Sequence, residues 1–139
     1  MVTSLNRSTT GRESGYQMVQ YIAGRLTLGG ADAVQKIGTV PAGAVILSIN
    51  SRVVTAVTGG TPVLAVGGAN TGSAAPTFPL AAGNTLNVTM SEAAGSEILA
   101  PTANITMPLT ADLDVYAGTS GGSTAGDAVI AVAFVKPLN

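Results

Sequence analysis

Val45-Ile46-Leu47-Ser48-Ile49-Asn50-Ser51-Arg52-Val53-Val54-Thr55-Ala56-Val57 is the stretch that decides the fold. Val45, Leu47, Ile49, Val53 and Val57 share one parity, and Ser48, Asn50 and Arg52 share the other. Side chains alternate across a strand, so the pattern predicts a long strand with one buried face. Pro41-Ala42-Gly43 precedes it as a turn, with Pro presetting φ and Gly permitting a positive one. Thr58-Gly59-Gly60-Thr61-Pro62 ends it, and Val63 to Val66 is expected to return as its partner. Gly67 to Gly83 then reads as a loop that Phe78 pins down.

The same alternation recurs on both sides. Leu86, Val88 and Met90 face inward against Thr85, Asn87 and Thr89; Ala103, Ile105 and Met107 repeat this against Asn104 and Thr106. Leu113 and Val115 alternate with Asp112, Asp114 and Tyr116, and Gly118 to Gly126 is a glycine-rich loop. Ala128 to Val135 is apolar on both faces, which predicts a central or covered strand. Toward the start, 34–40 reads as a strand, whereas 16–28 fits both a strand and a helical i, i+4 stripe. Gly24, Gly29 and Gly30 weaken the helix and favour the strand. The expected fold is an all-β antiparallel sandwich over residues 16–139, a jelly roll of about eight strands. An immunoglobulin-like sandwich would more often carry a core Cys or Trp. Residues 1–15 form a polar N-terminal arm, expected to be flexible until it meets a surface; terminal fraying is the competing reading. Its Val2, Leu5, Arg7 and Arg12 are the candidate partner contacts.

Composition removes whole classes of function. The chain has 139 residues, one domain's length, and no Cys or His, which excludes thiolate chemistry, cysteine metal sites and the usual general base. Charged residues are only 9%, against about 25% in ordinary domains. A net charge of −1 offers no excess of cations for nucleic acid. The longest apolar run, Ala128 to Val135, is far short of a membrane span, and the basic start lacks the apolar core of a signal peptide. Synthesis in the cytoplasm is therefore expected, with no membrane partner.

Few residues suggest chemistry. Asp112 and Asp114 leave the same strand face and could hold Ca²⁺ or act as an acid–base pair. No further ligand accompanies them, so a solvated strand face is expected; Glu92 and Glu97, flanking a Gly-Ser turn, read as surface charges. Gly59-Gly60, Gly67-Gly68 and Gly121-Gly122 lack the spacing of a phosphate or dinucleotide loop and read as turns. Sequons at Asn6, Asn87 and Asn104 carry little weight without an export signal. With Lys36 and Lys136 the only lysines, no nucleophile–base pair emerges: the expectation is no enzyme, no cofactor and no metal. Residues 1–52 carry net +3 and the remainder −4, opposite signs that could meet across subunits or within one sandwich.

Three stretches carry a family resemblance: Lys36-Ile37-Gly38-Thr39-Val40-Pro41-Ala42-Gly43-Ala44-Val45-Ile46, Leu109-Thr110-Ala111-Asp112-Leu113-Asp114-Val115-Tyr116-Ala117, and Ser123-Thr124-Ala125-Gly126-Asp127-Ala128-Val129. Together, over roughly residues 33–137, they resemble the small head decoration or cement proteins of tailed bacteriophages. The resemblance implies a virion protein on the outer capsid surface that binds and stabilises the major capsid protein shell, as a homo-oligomer (dimer or trimer). It transfers no catalytic residues. A phage tail, baseplate or receptor-binding fibre component is the alternative role. A carbohydrate-binding sandwich is the alternative of another class, disfavoured by only five aromatics and no Trp.

Overall fold

The alternating segments form eight strands in the computed structural model, which describes residues 18–100 and 105–137. They are β1 (Gln20–Thr27), β2 (Val34–Val40), β3 (Val45–Thr58), β4 (Val63–Asn70), β5 (Leu86–Met90), β6 (Gly95–Leu99), β7 (Leu113–Ser120) and β8 (Ala125–Val135). Sheet A has the order β1-β8-β3-β6 and sheet B the order β2-β7-β4-β5, with antiparallel pairing throughout. First pairs with last, second with seventh, third with sixth and fourth with fifth. One long antiparallel ribbon, rolled so that successive strand pairs alternate between two layers, gives this order, which is the jelly roll. The expected fold class is thus found.

Between the sheets lies one apolar core, in which Ile49, Leu64, Leu86, Met90, Leu113 and Ile130 are fully buried. Each such side chain contributes about 1.5–3 kcal/mol relative to leaving it in water. β1 is a strand, as the glycines indicated, with Leu26 buried; Met18 precedes it and is exposed. β8 lies between β1 and β3, so its two apolar faces suit a central strand.

Three expectations need correction. Within β3, Ile46 is buried and Leu47 is 44% exposed, because the register with β8 shifts between Ile46 and Ser48. One extra residue reverses the parity, so Leu47 leaves the inward set while Ile49, Val53 and Val57 keep their places. β4 is not the partner of β3: residues 59–62 carry the chain from sheet A to sheet B, where β4 pairs β7 and β5 and runs on to Asn70. Finally, the strand expected at 103–107 is absent from its described part, where Ile105 and Met107 pack against the core without strand pairing. The sixth strand is instead Gly95–Leu99, whose first two residues, Gly95-Ser96, read from sequence as a turn.

Candidate interaction surface

The two layers present different outer faces. Sheet B is covered over β4 and β7 by its own connection, residues 71–85, while Val34 and Lys36 of β2 stay exposed. Gly67 and Gly118 point outward from β4 and β7, and both are buried because Leu80 and Phe78 lie over them. A Cβ at Gly118 would sit 2.6 Å from the Phe78 ring, and one at Gly67 would sit 2.5 Å from Leu80 Cδ2. The glycines are therefore seats for the two side chains. The pinning role expected of Phe78 is found, although Gly67-Gly68 itself lies in β4 rather than in a turn. Asn84 Oδ1 closes the strap by accepting from the amides of Gly68 and Leu86. Phe78→Ala is expected to cost about 1–3 kcal/mol, less than a fully buried phenylalanine, as read by urea denaturation.

Sheet A, in contrast, is open. Its outward residues form rows across the strands: Ala23, Ala131, Asn50 and Ile98 in one, Arg25, Val129, Arg52 and Ser96 in the next. Tyr21 and Ile98 are 60% and 71% exposed. Arg25 donates from Nε to Asp127 Oδ1 at 2.8 Å and pairs through its terminal nitrogen with Oδ2. That fork holds the Asp127 carboxyl below the usual range. Arg52 has only a 3.4 Å contact to Ser96 Oγ, and no carboxylate pairs with it among the described residues. Arg52, Asn50, Ile98, Val129 and Ala131 line a surface hollow of about 250 Å³, with β3 between the β8 and β6 residues.

The acidic pair divides: Asp112 is exposed, as a solvated face would have it, whereas Asp114 is structural. Asp114 is buried, and its Oδ1 accepts from Thr39 Oγ1 at 2.7 Å and Thr71 Oγ1 at 2.9 Å, with Lys36 Nζ at 3.3 Å. The Thr39 hydroxyl above all, then Thr71 and Lys36, hold its pKa below the ordinary value against the opposing effect of desolvation. Asp112 Oδ1 accepts from the Ala42 amide at 2.8 Å and so fixes the Pro41–Gly43 turn. Glu97 is half-buried, its Oε1 accepting from the Ser91 amide at 2.8 Å, which corrects its reading as a simple surface charge. Asp32, not singled out from sequence, ties the 28–33 and 121–124 connections together by accepting from Gly122 N and Ser123 N. Desolvation pushes its pKa up, but those amides with the Ser123 and Thr119 hydroxyls outweigh it and hold it below the ordinary value.

Both described ion pairs, Arg25–Asp127 and Lys36–Asp114, join the basic first half to the acidic second half within one sandwich. No cluster of three or more metal-ligating side chains occurs among the described residues. No helix among them is long and apolar enough to cross a membrane. Asn87 lies in β5; Asn6, Asn104 and the contacts Val2, Leu5, Arg7 and Arg12 lie outside the described residues. Sequence reasoning missed Ile98 because β6 was not recognised, although Arg52 was placed correctly on the polar face of β3.

No family model matches the chain, and no curated protein matches it. Solved structures do. One similar chain belongs to the capsid of Ralstonia phage GP4, with a TM-score of 0.54 and 19% identity over 88% of this chain and 86% of that one. Another belongs to the acid-stable capsid of the Helicobacter pylori bacteriophage KHP30, with a TM-score of 0.54 and 12% identity over 87% and 90% of the two chains. At these identities the likeness is one of fold, and it extends over nearly the whole of each partner.

Proposed function

We propose that this chain is a bacteriophage virion structural protein, a capsid decoration or cement subunit that binds the shell of the major capsid protein from outside. The observation that carries the reading is a jelly roll matched over nearly its full length by chains from two phage capsids. Two features agree with it. The chain's own strap covers part of one outer face, whereas no described segment covers the other, which leaves it free to dock. The surface also has few charges, so burying it against a partner strands few ions. The role is mechanical, not enzymatic: many modest contacts, repeated over a shell, sum to a large resistance to expansion. Copies of the chain would associate on the shell as small homo-oligomers.

Residues 1–15 serve in this reading as an arm that orders on a neighbouring subunit. Val2 and Leu5 anchor it, and Arg7 and Arg12 make charge-assisted hydrogen bonds to carboxylates there. Fixing the arm costs roughly 1–2 kcal/mol per residue, so only a sizeable interface offsets it. Deleting residues 2–15 should leave the unfolding midpoint of the isolated protein little changed while lowering its occupancy on particles. Unchanged occupancy would show that the arm makes no contact.

Electron cryo-microscopy of the virion tests the assignment directly. The expected result is jelly-roll density outside the shell in a fixed ratio to the major capsid protein. Density confined to the tail or baseplate would replace this reading.

A further inference from the structure

We propose that the open face of sheet A is the docking surface, and that its occupant is a segment of the shell protein presenting a carboxylate beside an apolar side chain. This deepens the capsid reading and rests on it. The argument is one of complementarity. Arg25 on this face is already satisfied by Asp127, whereas among the described residues Arg52 has a single long contact to a hydroxyl and no carboxylate. A guanidinium offers a planar fork that a carboxylate fills with two parallel hydrogen bonds. Arg52 itself lines a hollow of about 250 Å³ with Val129 and Ala131 on its β8 side and Ile98, 71% exposed, on its β6 side. The hollow therefore accepts an apolar stem whose charged end reaches Arg52.

Other occupants fit less well. A second copy docking about a twofold axis through the hollow would bring Arg52 against Arg52, with both nearby Asp127 carboxylates already engaged by Arg25. Nucleic acid needs several phosphate-neutralising cations, and among the described residues this face has one uncommitted.

The test uses particles assembled without this chain, to which purified protein is added and occupancy measured across a concentration series. Arg52→Gln should weaken binding about tenfold, the loss of one charge-assisted contact, and Arg52→Glu about a hundredfold through added repulsion. Ile98→Thr keeps a β-branched residue on the edge strand and should weaken binding several-fold. Val34→Thr, an exposed position on sheet B, should bind like the parent. Rising salt should weaken the parent more than Arg52→Gln. Circular dichroism of each variant checks folding; should Arg52→Glu unfold, the Gln and Thr variants decide. Parent protein that binds while Arg52 and Ile98 prove indifferent overturns the assignment of this face and leaves the capsid reading standing. Parent protein that fails to bind overturns both. A homodimer of the isolated chain that Arg52→Glu disrupts overturns the choice of partner.

Discussion

Asp114→Ala is expected to destabilise the isolated protein by about 2–4 kcal/mol. The substitution removes two hydrogen bonds that a buried carboxylate accepts from the exposed Thr39 and Thr71, and hydrogen bonds to a charged group contribute about 1.5–3 kcal/mol. The Lys36 contribution is small, because that side chain is 48% exposed and returns to water. Three pieces of chain separate together: β2 through Thr39, β7 through Asp114 itself and the start of the strap through Thr71. Urea denaturation at neutral pH reads the loss, and Asp114→Asn, which keeps one acceptor, should lose less. The same carboxylate predicts acid sensitivity. Its native pKa lies below the ordinary 3.8, as do those of Asp32 and Asp127. Their stabilisation is therefore complete above the unfolded value and disappears as pH falls through each lowered native one. The parent should lose stability steeply below about pH 4, and Asp114→Ala should show a shallower acid limb. Equal acid slopes would mean that Asp114 is not the clamp described.

Gly121→Ala should cost about 3 kcal/mol or more, with Gly122→Ala as its internal control. Both glycines have positive φ, 86° and 80°, so either substitution costs about 1–2 kcal/mol in backbone strain. Only at Gly121 does the new Cβ meet an obstacle: it would lie 1.8 Å from the Thr61 carbonyl oxygen. Nothing lies within 4 Å of the corresponding position at Gly122. Relief requires the 121–124 connection to move away from 59–62, breaking the bond that the Thr61 amide donates to Gly121 O at 2.9 Å. Thermal unfolding of the two variants side by side isolates the steric part. Equal midpoints would show that the two connections are not in contact in solution.

Most strands were legible because one-sided burial imprints a period of two, as in Leu86, Val88 and Met90. What was hidden involves pairing. The parity of Leu47 depends on an unpaired residue opposite β8, which no local pattern in β3 records. Gly95-Ser96 reads as a turn because an edge strand paired on one side needs neither bulk nor clear alternation. β4 was expected beside β3 because consecutive strands usually pair, whereas a rolled ribbon sends them to opposite layers. The open face was illegible for a related reason. Val129 and Ala131 look like core from sequence, and only the structure, in which no described segment covers them, shows that they line a surface hollow.

The central place of β8 has a consequence for how the protein is made. Synthesis delivers Ala125–Val135 after every other strand, yet β1, the first to emerge, has no other ladder partner and β3 shares most of its length with it. Closing so long a loop places this fold among the slow, high-contact-order topologies. Until β8 arrives, β1 and β3 wait as unsealed edges open to mispairing, a hazard that chaperones exist to limit. The same delay works as inspection. A chain interrupted before β8 cannot form the Arg52–Val129 row, so an abortive product lacks the face by which a finished one would dock. If that face docks as proposed, truncated copies would be left out of an assembly without any separate proofreading step.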